Sequence, residues 1–117
     1  MNTRPPGGQS NNSVSEGAMN QRVDYVRTND ARVASIQMSG NEASRWHHHT
    51  HVVERIVCLT GVIEVQCQNP KSSKRLAPGE MATIGAKCDH RVVNMRGERS
   101  SYLLIQDGSF DFVTVNR

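Results

Sequence analysis

The sequence is short of aromatic residues: one Trp, two Tyr and two Phe among 117, or 4%. With so few rings on which bases stack, the net charge of +3 does not point to nucleic acid. Long apolar runs are missing too, and no stretch approaches the roughly 20 consecutive apolar residues of a bilayer-spanning helix. A helical membrane protein is excluded. Leucine is scarce, four residues against thirteen Val and five Ile. β-Branched side chains lose rotamer freedom in helices and pack well on pleated sheets, so the balance points to an all-β domain. Cysteines number three (Cys58, Cys67 and Cys88), an odd count in a chain without an export signal, so reduced thiols and a cytoplasmic location are expected.

The apolar share, 36%, is low for a globular chain, and the deficit is concentrated at one end. Residues 1–22 contain only Met1, Val14, Ala18 and Met19 as apolar members. Such a segment buries too little surface to offset the entropy of ordering, and we expect a disordered tail over 1–22. It lacks the apolar core of a signal peptide, and Met19 offers an alternative translation start. The remaining 23–117 are expected to form one domain, since a chain of this length supports one core without disulfides or a structural metal.

From Val23 onward short apolar runs alternate with turn residues. Expected strands are 32–38, 44–49, 52–59, 62–68, 81–84, 90–94, 101–106 and 110–115. The turn signals between them include Asn69-Pro70, Pro78-Gly79 and Asp107-Gly108. The Lys71, Lys74 and Arg75 cluster reads as a solvated hairpin tip. Eight strands at this spacing imply an antiparallel sandwich or barrel. In 52–59 both faces are apolar apart from Glu54 and Arg55, and a second buried face in so small a protein suggests a homodimer. Glu54 shares its face with Val52, Ile56 and Cys58, and an acid among aliphatics needs a partner.

Four of the five histidines stand at 47, 48, 49 and 51. His47 and His49, two apart on a strand, leave the same face with origins about 6.6 Å apart. Two imidazoles so placed can converge on one ion at about 2.1 Å per bond. His51 shares that face if the strand continues, and His48 must point away. Glu54 follows as an oxygen donor, and His90 opens a second alternating segment with Val92 and Asn94.

Residues 40–94 resemble the two motifs of the cupin superfamily. The first motif is matched by His47-His48-His49, four residues, Glu54, six residues and Gly61. The second is matched by Gly79, five residues, Gly85-Ala86-Lys87 in place of Pro-x-Gly, two residues, His90, three residues and Asn94. Gly40 precedes His47 with six intervening residues where the motif has five. The resemblance implies a jelly-roll β-barrel, or double-stranded β-helix. It also implies one divalent transition metal ion (Fe, Mn, Ni, Zn or Cu) on His47, His49, Glu54 and His90. The motif can also be read as His49-Thr50-His51, which puts His51 in the ligand set but leaves only two residues before Glu54.

Such a site leaves open coordination positions, suited to a metal-dependent enzyme of the dioxygenase, isomerase, lyase or decarboxylase type acting on a small polar or carbonyl-bearing molecule. The alternative is a metal-dependent sensor or binding protein without turnover. Catalytic candidates beyond the ligands are His51 and Tyr102. Pocket candidates are Gln37, Trp46, Tyr102 and Gln106, with Arg45 beside the first ligand. Cys88, two residues before His90, is weighed as an approach to the metal against a plain buried thiol, and the thiol is preferred.

Overall fold

Turn residues divide the chain into short β-branched segments, long enough for strands and too short for stable helices. The computed structural model describes residues 21–116. Its strands are β1 (Gln21–Arg27), β2 (Ala31–Met38), β3 (His47–His48), β4 (Val53–Thr60), β5 (Ile63–Cys67), β6 (Ser72–Leu76), β7 (Met81–Ile84), β8 (His90–Asn94), β9 (Ser100–Asp107) and β10 (Val113–Thr114). Among the described residues there is no helix. The strands form two antiparallel five-stranded sheets, in the orders β1-β2-β9-β4-β7 and β10-β3-β8-β5-β6. The all-β architecture is the one composition implied.

The elements differ from expectation where polar sequence hides a strand. β1 opens at Gln21, just ahead of the start expected at Val23, and residues 1–20 lie outside the described residues. The expected hairpin tip at Lys71, Lys74 and Arg75 is largely a strand, β6, paired with β5 from Ile63↔Leu76 to Cys67↔Ser72. It lies at the sheet edge with only Leu76 buried, so it shows no apolar alternation. Its charges find local partners: Lys74 Nζ donates to the Met81 carbonyl at 2.9 Å, and Arg75 lies 3.7 Å from Glu64. The strand expected over 44–49 shortens to β3, preceded by an isolated Ala43–Val93 bridge, and that over 110–115 shortens to β10.

Period-two alternation sends Ile56 and Cys58 of β4, Ile63 and Val65 of β5, Val92 of β8, and Tyr102 and Leu104 of β9 into one core. The same alternation carries Glu54 inward. On the opposite face of the first sheet a register row crosses all five strands: Val23, Ser35, Leu103, Val57 and Met81. Val23 and Met81 at its ends are exposed, as are Val26, Val53 and Leu59.

The polar hub of the fold is Asn94, which is 1% exposed. Its Nδ2 donates to the Ser39 and Glu98 carbonyls, each at 2.8 Å, and its Oδ1 accepts from Arg96 N at 3.1 Å and Ser100 Oγ at 2.7 Å. Gly61, with φ +77°, lies so close that a Cβ there would fall on the same Ser100 hydroxyl. Two residues singled out by the sequence motifs therefore meet at Ser100. Asn94→Ala removes these four hydrogen bonds, including the one to the buried Ser100 hydroxyl, and is expected to lower the unfolding free energy by roughly 3 kcal/mol. Urea denaturation checks this, and a loss under about 1 kcal/mol would remove the hub from the account.

Candidate metal centre

The central strands of the two sheets bring the predicted ligands together. β3 and β8 are neighbours with His47 directly opposite His90, and His49 leaves the chain on the face of His47. Glu54 comes from β4 in the facing sheet, where it stands opposite Gln106 of β9. All four side chains are buried. One ligand atom from each lies within 4.8 Å of the others.

The imidazoles are oriented by the backbone. Nδ1 of His47 lies 2.7 Å from the Arg45 carbonyl, that of His49 2.6 Å from the Asp111 carbonyl, and that of His90 2.8 Å from the Cys88 carbonyl. A carbonyl oxygen only accepts, so each Nδ1 carries a proton and donates it, and each ring turns Nε2 toward the centre. Nε2 of His49 and His90 and Oε1 of Glu54 are buried without a hydrogen-bond partner. The two nitrogens stand 2.9 and 3.3 Å from that oxygen, close but without the alignment of a hydrogen bond. Two donors bonded at right angles to one ion at about 2.1 Å lie about 3.0 Å apart, so these spacings fit a shared cation.

Electrostatics follow the same geometry. Burial raises the Glu54 carboxyl, but the facing His49 and His90 more than reverse this and hold it at about 2. Burial, reinforced by the neighbouring His90, pushes His47 down to about 4. In His49 burial acts downward too, yet the Glu54 carboxylate and the Asp111 carbonyl raise it overall. The centre thus holds an ionised carboxylate faced by imidazole Nε2 atoms.

The remaining sequence candidates separate by register. His48 points away, with Nδ1 2.9 Å from Asp89 Oδ1. His51 lies in the bend after β3 with its side chain exposed, outside the cluster, so the alternative His49-Thr50-His51 register is not the one that assembles. Tyr102 and Gln106 line a cavity of about 310 Å³ beside the cluster. Gln37 and Trp46 do not line it. Gln37 sits on the outward parity of β2, between inward Ile36 and Met38, and Trp46 turns opposite to His47 with Arg91 4.9 Å from its ring. Cys88 Sγ points to the Gln68 and Asp89 carbonyls and lies beside Cys67, outside the ligand cluster. All three cysteines are free.

Several contributors carried no motif. Phe112 stacks on His47 with centroids 4.4 Å apart, and Phe110 lies 5.3 Å from His49. Between them Asp111 accepts from Thr50 N at 2.7 Å and Thr50 Oγ1 at 2.6 Å, while its carbonyl orients His49. The one sequence signal was two of five aromatics flanking an acid. Arg22 and Ser44 also line the cavity, with nothing in the sequence to mark them.

A pH dependence follows from His47. Its folded value of about 4 lies below the 6.5 of a free imidazole, so between those values the unfolded chain binds more protons. Stability of the metal-free protein is therefore expected to fall as pH drops through this window, by up to about 3 kcal/mol. His49, shifted upward, acts elsewhere: its contribution is complete below 6.5 and is lost as pH rises above it. Urea titrations in chelator measure the slope; His47→Asn should flatten it, and an unchanged slope in that variant refutes the assignment.

No family model matches the sequence, and no curated protein matches it. Solved structures do. An uncharacterised Klebsiella pneumoniae protein with a double-stranded β-helix domain superposes with a TM-score of 0.74 at 19% identity, covering 90% of each chain. A sugar phosphate isomerase of the cupin superfamily from Silicibacter pomeroyi gives 0.59 at 17% identity, over 67% of this chain and 50% of that one. Oxalate oxidase gives 0.68 at 16% identity, over 74% of this chain, which spans about half the length of that enzyme (46%). Two facing antiparallel sheets with buried His and Glu side chains between them, and these superpositions, show that the chain has the cupin fold, a double-stranded β-helix.

Proposed function

We propose that this protein holds one divalent transition metal ion on His47, His49, Glu54 and His90, and acts as a metal-dependent enzyme on a small polar or carbonyl-bearing molecule in the adjoining cavity. The observation that carries the reading is the set of three Nδ1-to-carbonyl hydrogen bonds, which leave three Nε2 atoms facing one buried carboxylate. A metal with open positions there supplies Lewis acidity, polarising a carbonyl or lowering the pKa of bound water. The protein's own residues hold the substrate: Ile36, Leu104 and Phe110 exclude water, and Tyr102 and Gln106 present polar groups beside Glu54. Two of the similar structures are named as enzymes, an oxidase and an isomerase. Three free thiols fit a reducing, cytoplasmic setting.

One observation favours the second reading, a binding protein without turnover. His51 is turned out to solvent, outside the ligand cluster, and the buried Tyr102 phenol is held protonated by its burial, so Tyr102 is not poised as a base at neutral pH.

We also propose a homodimer through the outer face of the first sheet. Its five-strand row, apolar except for Ser35 and edged by exposed Val23 and Met81, carries the same residues in every copy, as a two-fold interface requires.

Untagged protein, stripped and reconstituted in turn with Fe, Mn, Ni, Cu and Zn, is expected to take up one ion per chain. His49→Ala and His90→Ala should each weaken uptake at least about a hundredfold. A wild type that retains no stoichiometric metal with any of the five defeats the metal reading. Ligands that raise the melting temperature of the loaded protein then separate the two functions, because turnover of one marks an enzyme and a shift without product marks a binder. Light scattering should return twice the 13.0 kDa chain mass, and Val57→Lys should return a monomer.

A further inference from the structure

The cavity beside the metal cluster has a charge that its own residues do not balance. Glu54 is the one carboxylate among the described lining residues, and it is engaged by His49 and His90. Two exposed arginines line the same cavity, Arg22 from β1 and Arg45 from the segment before β3. Arg45 has no ion-pair partner among the described residues. Arg22 meets Asp24 at 2.9 Å through Nε, and that carboxylate is shared with Arg27 at 3.8 Å. A further guanidinium, Arg32, lies 3.7 Å from the centroid of Phe110, a cavity-lining ring, and its Nε is buried without a partner. Among the described residues, Asp24 is thus the paired counter-charge of Arg22 and Arg27 alone. A divalent ion on three neutral imidazoles and one carboxylate would add positive charge to the same cavity.

Two more features define the shape of the missing occupant. Gln106 is 4% exposed, lines the cavity next to Glu54, and its Oε1 has no hydrogen-bond partner. A buried amide oxygen without a donor has lost its hydration uncompensated, and a ligand hydroxyl reaching it would restore the bond. Beside Ser44 and Tyr102, the rest of the wall is largely apolar, with Ile36, Met38, Leu104, Phe110 and Phe112.

We infer that this cavity takes a small hydroxy acid with an apolar body: its carboxylate pairs with Arg22 and Arg45, its hydroxyl reaches Gln106 beside the metal, and its hydrocarbon part packs on Ile36, Leu104 and Phe110. Guanidinium groups match carboxylates in bidentate geometry, and such charge-assisted bonds in a partly dry cavity are about twice as strong as neutral ones. A neutral substrate would leave Arg45 without a counter-charge. The assignment rests on the metal-centre reading for the position of the hydroxyl, whereas the arginine contacts stand without it.

Zinc-loaded protein is titrated by calorimetry with 2-hydroxy-4-methylpentanoate, its primary amide, and 4-methylpentanoate, with metal content measured on each sample. The hydroxy acid should bind at least tenfold more tightly than the amide. Arg45→Gln and Arg22→Gln should each cost it at least tenfold at unchanged zinc content, and Gln106→Leu should abolish its advantage over 4-methylpentanoate. Equal binding of acid and amide, wild-type affinity in both arginine variants, or no binding of the acid up to 10 mM overturns the inference. Should the protein hold neither zinc nor any of the other four metals, the metal reading fails on its own, and the acid-against-amide comparison on the metal-free chain still decides the arginine contacts.

Discussion

The rest of the site depends on one buried carboxylate. Glu54 enters the interior from β4 because alternation along that strand gives it the same face as Ile56 and Cys58. A charge so placed is tolerated only against compensating groups, and those available are the imidazoles of β3 and β8 in the facing sheet. The carboxylate therefore links the two sheets across the barrel. Each histidine is in turn held by a backbone carbonyl, of Arg45, Asp111 or Cys88, so the orientation of the rings is inherited from loops and strand ends.

That dependence explains why loops far apart in the chain are tied down so firmly. Asp111 both accepts from Thr50 and orients His49, and Gly108 approaches the His51 carbonyl closely enough that a Cβ would collide with it. Asn94 and Gly61 meet at Ser100 and fix the turns at the other end of β8. Both ends of the ligand-bearing strand are thereby held, one by carbonyl contacts to the imidazoles and one by a buried amide. Preorganisation of this kind lets imidazoles present lone pairs to a cation without reorganising when it arrives.

The two faces of the first sheet divide the chemistry between them. Inward, β2, β4 and β9 supply the apolar wall and the Glu54, Tyr102 and Gln106 side chains; outward, the same strands expose an apolar surface. A one-residue slip in any of these pairings would exchange the two sets, placing Glu54 in solvent and Val53 or Arg55 in the core.

Much of this was legible in the linear sequence, wherever the physics is local. Strand propensity of Val and Ile, turn residues between them and a period of two determined the fold class, the inward face of β4 and the pairing of His47 with His49 on one side. Motif spacing added Glu54 and His90. Strands β1 and β6 escaped because exposed edge strands bury almost nothing and so leave no alternation to read. Gln37 and Trp46 were misassigned to the cavity because parity along a strand says which residues share a face, not which face meets the ligand; only the packing of one sheet on the other decides that. Arg22, Phe110 and Phe112 reach the site from chain segments remote from the motifs, through contacts that exist only after the barrel closes. The sequence by itself determined the residue types and their period; tertiary structure decided which of them converge, because convergence depends on sheet pairing between distant segments, and no local pattern encodes it.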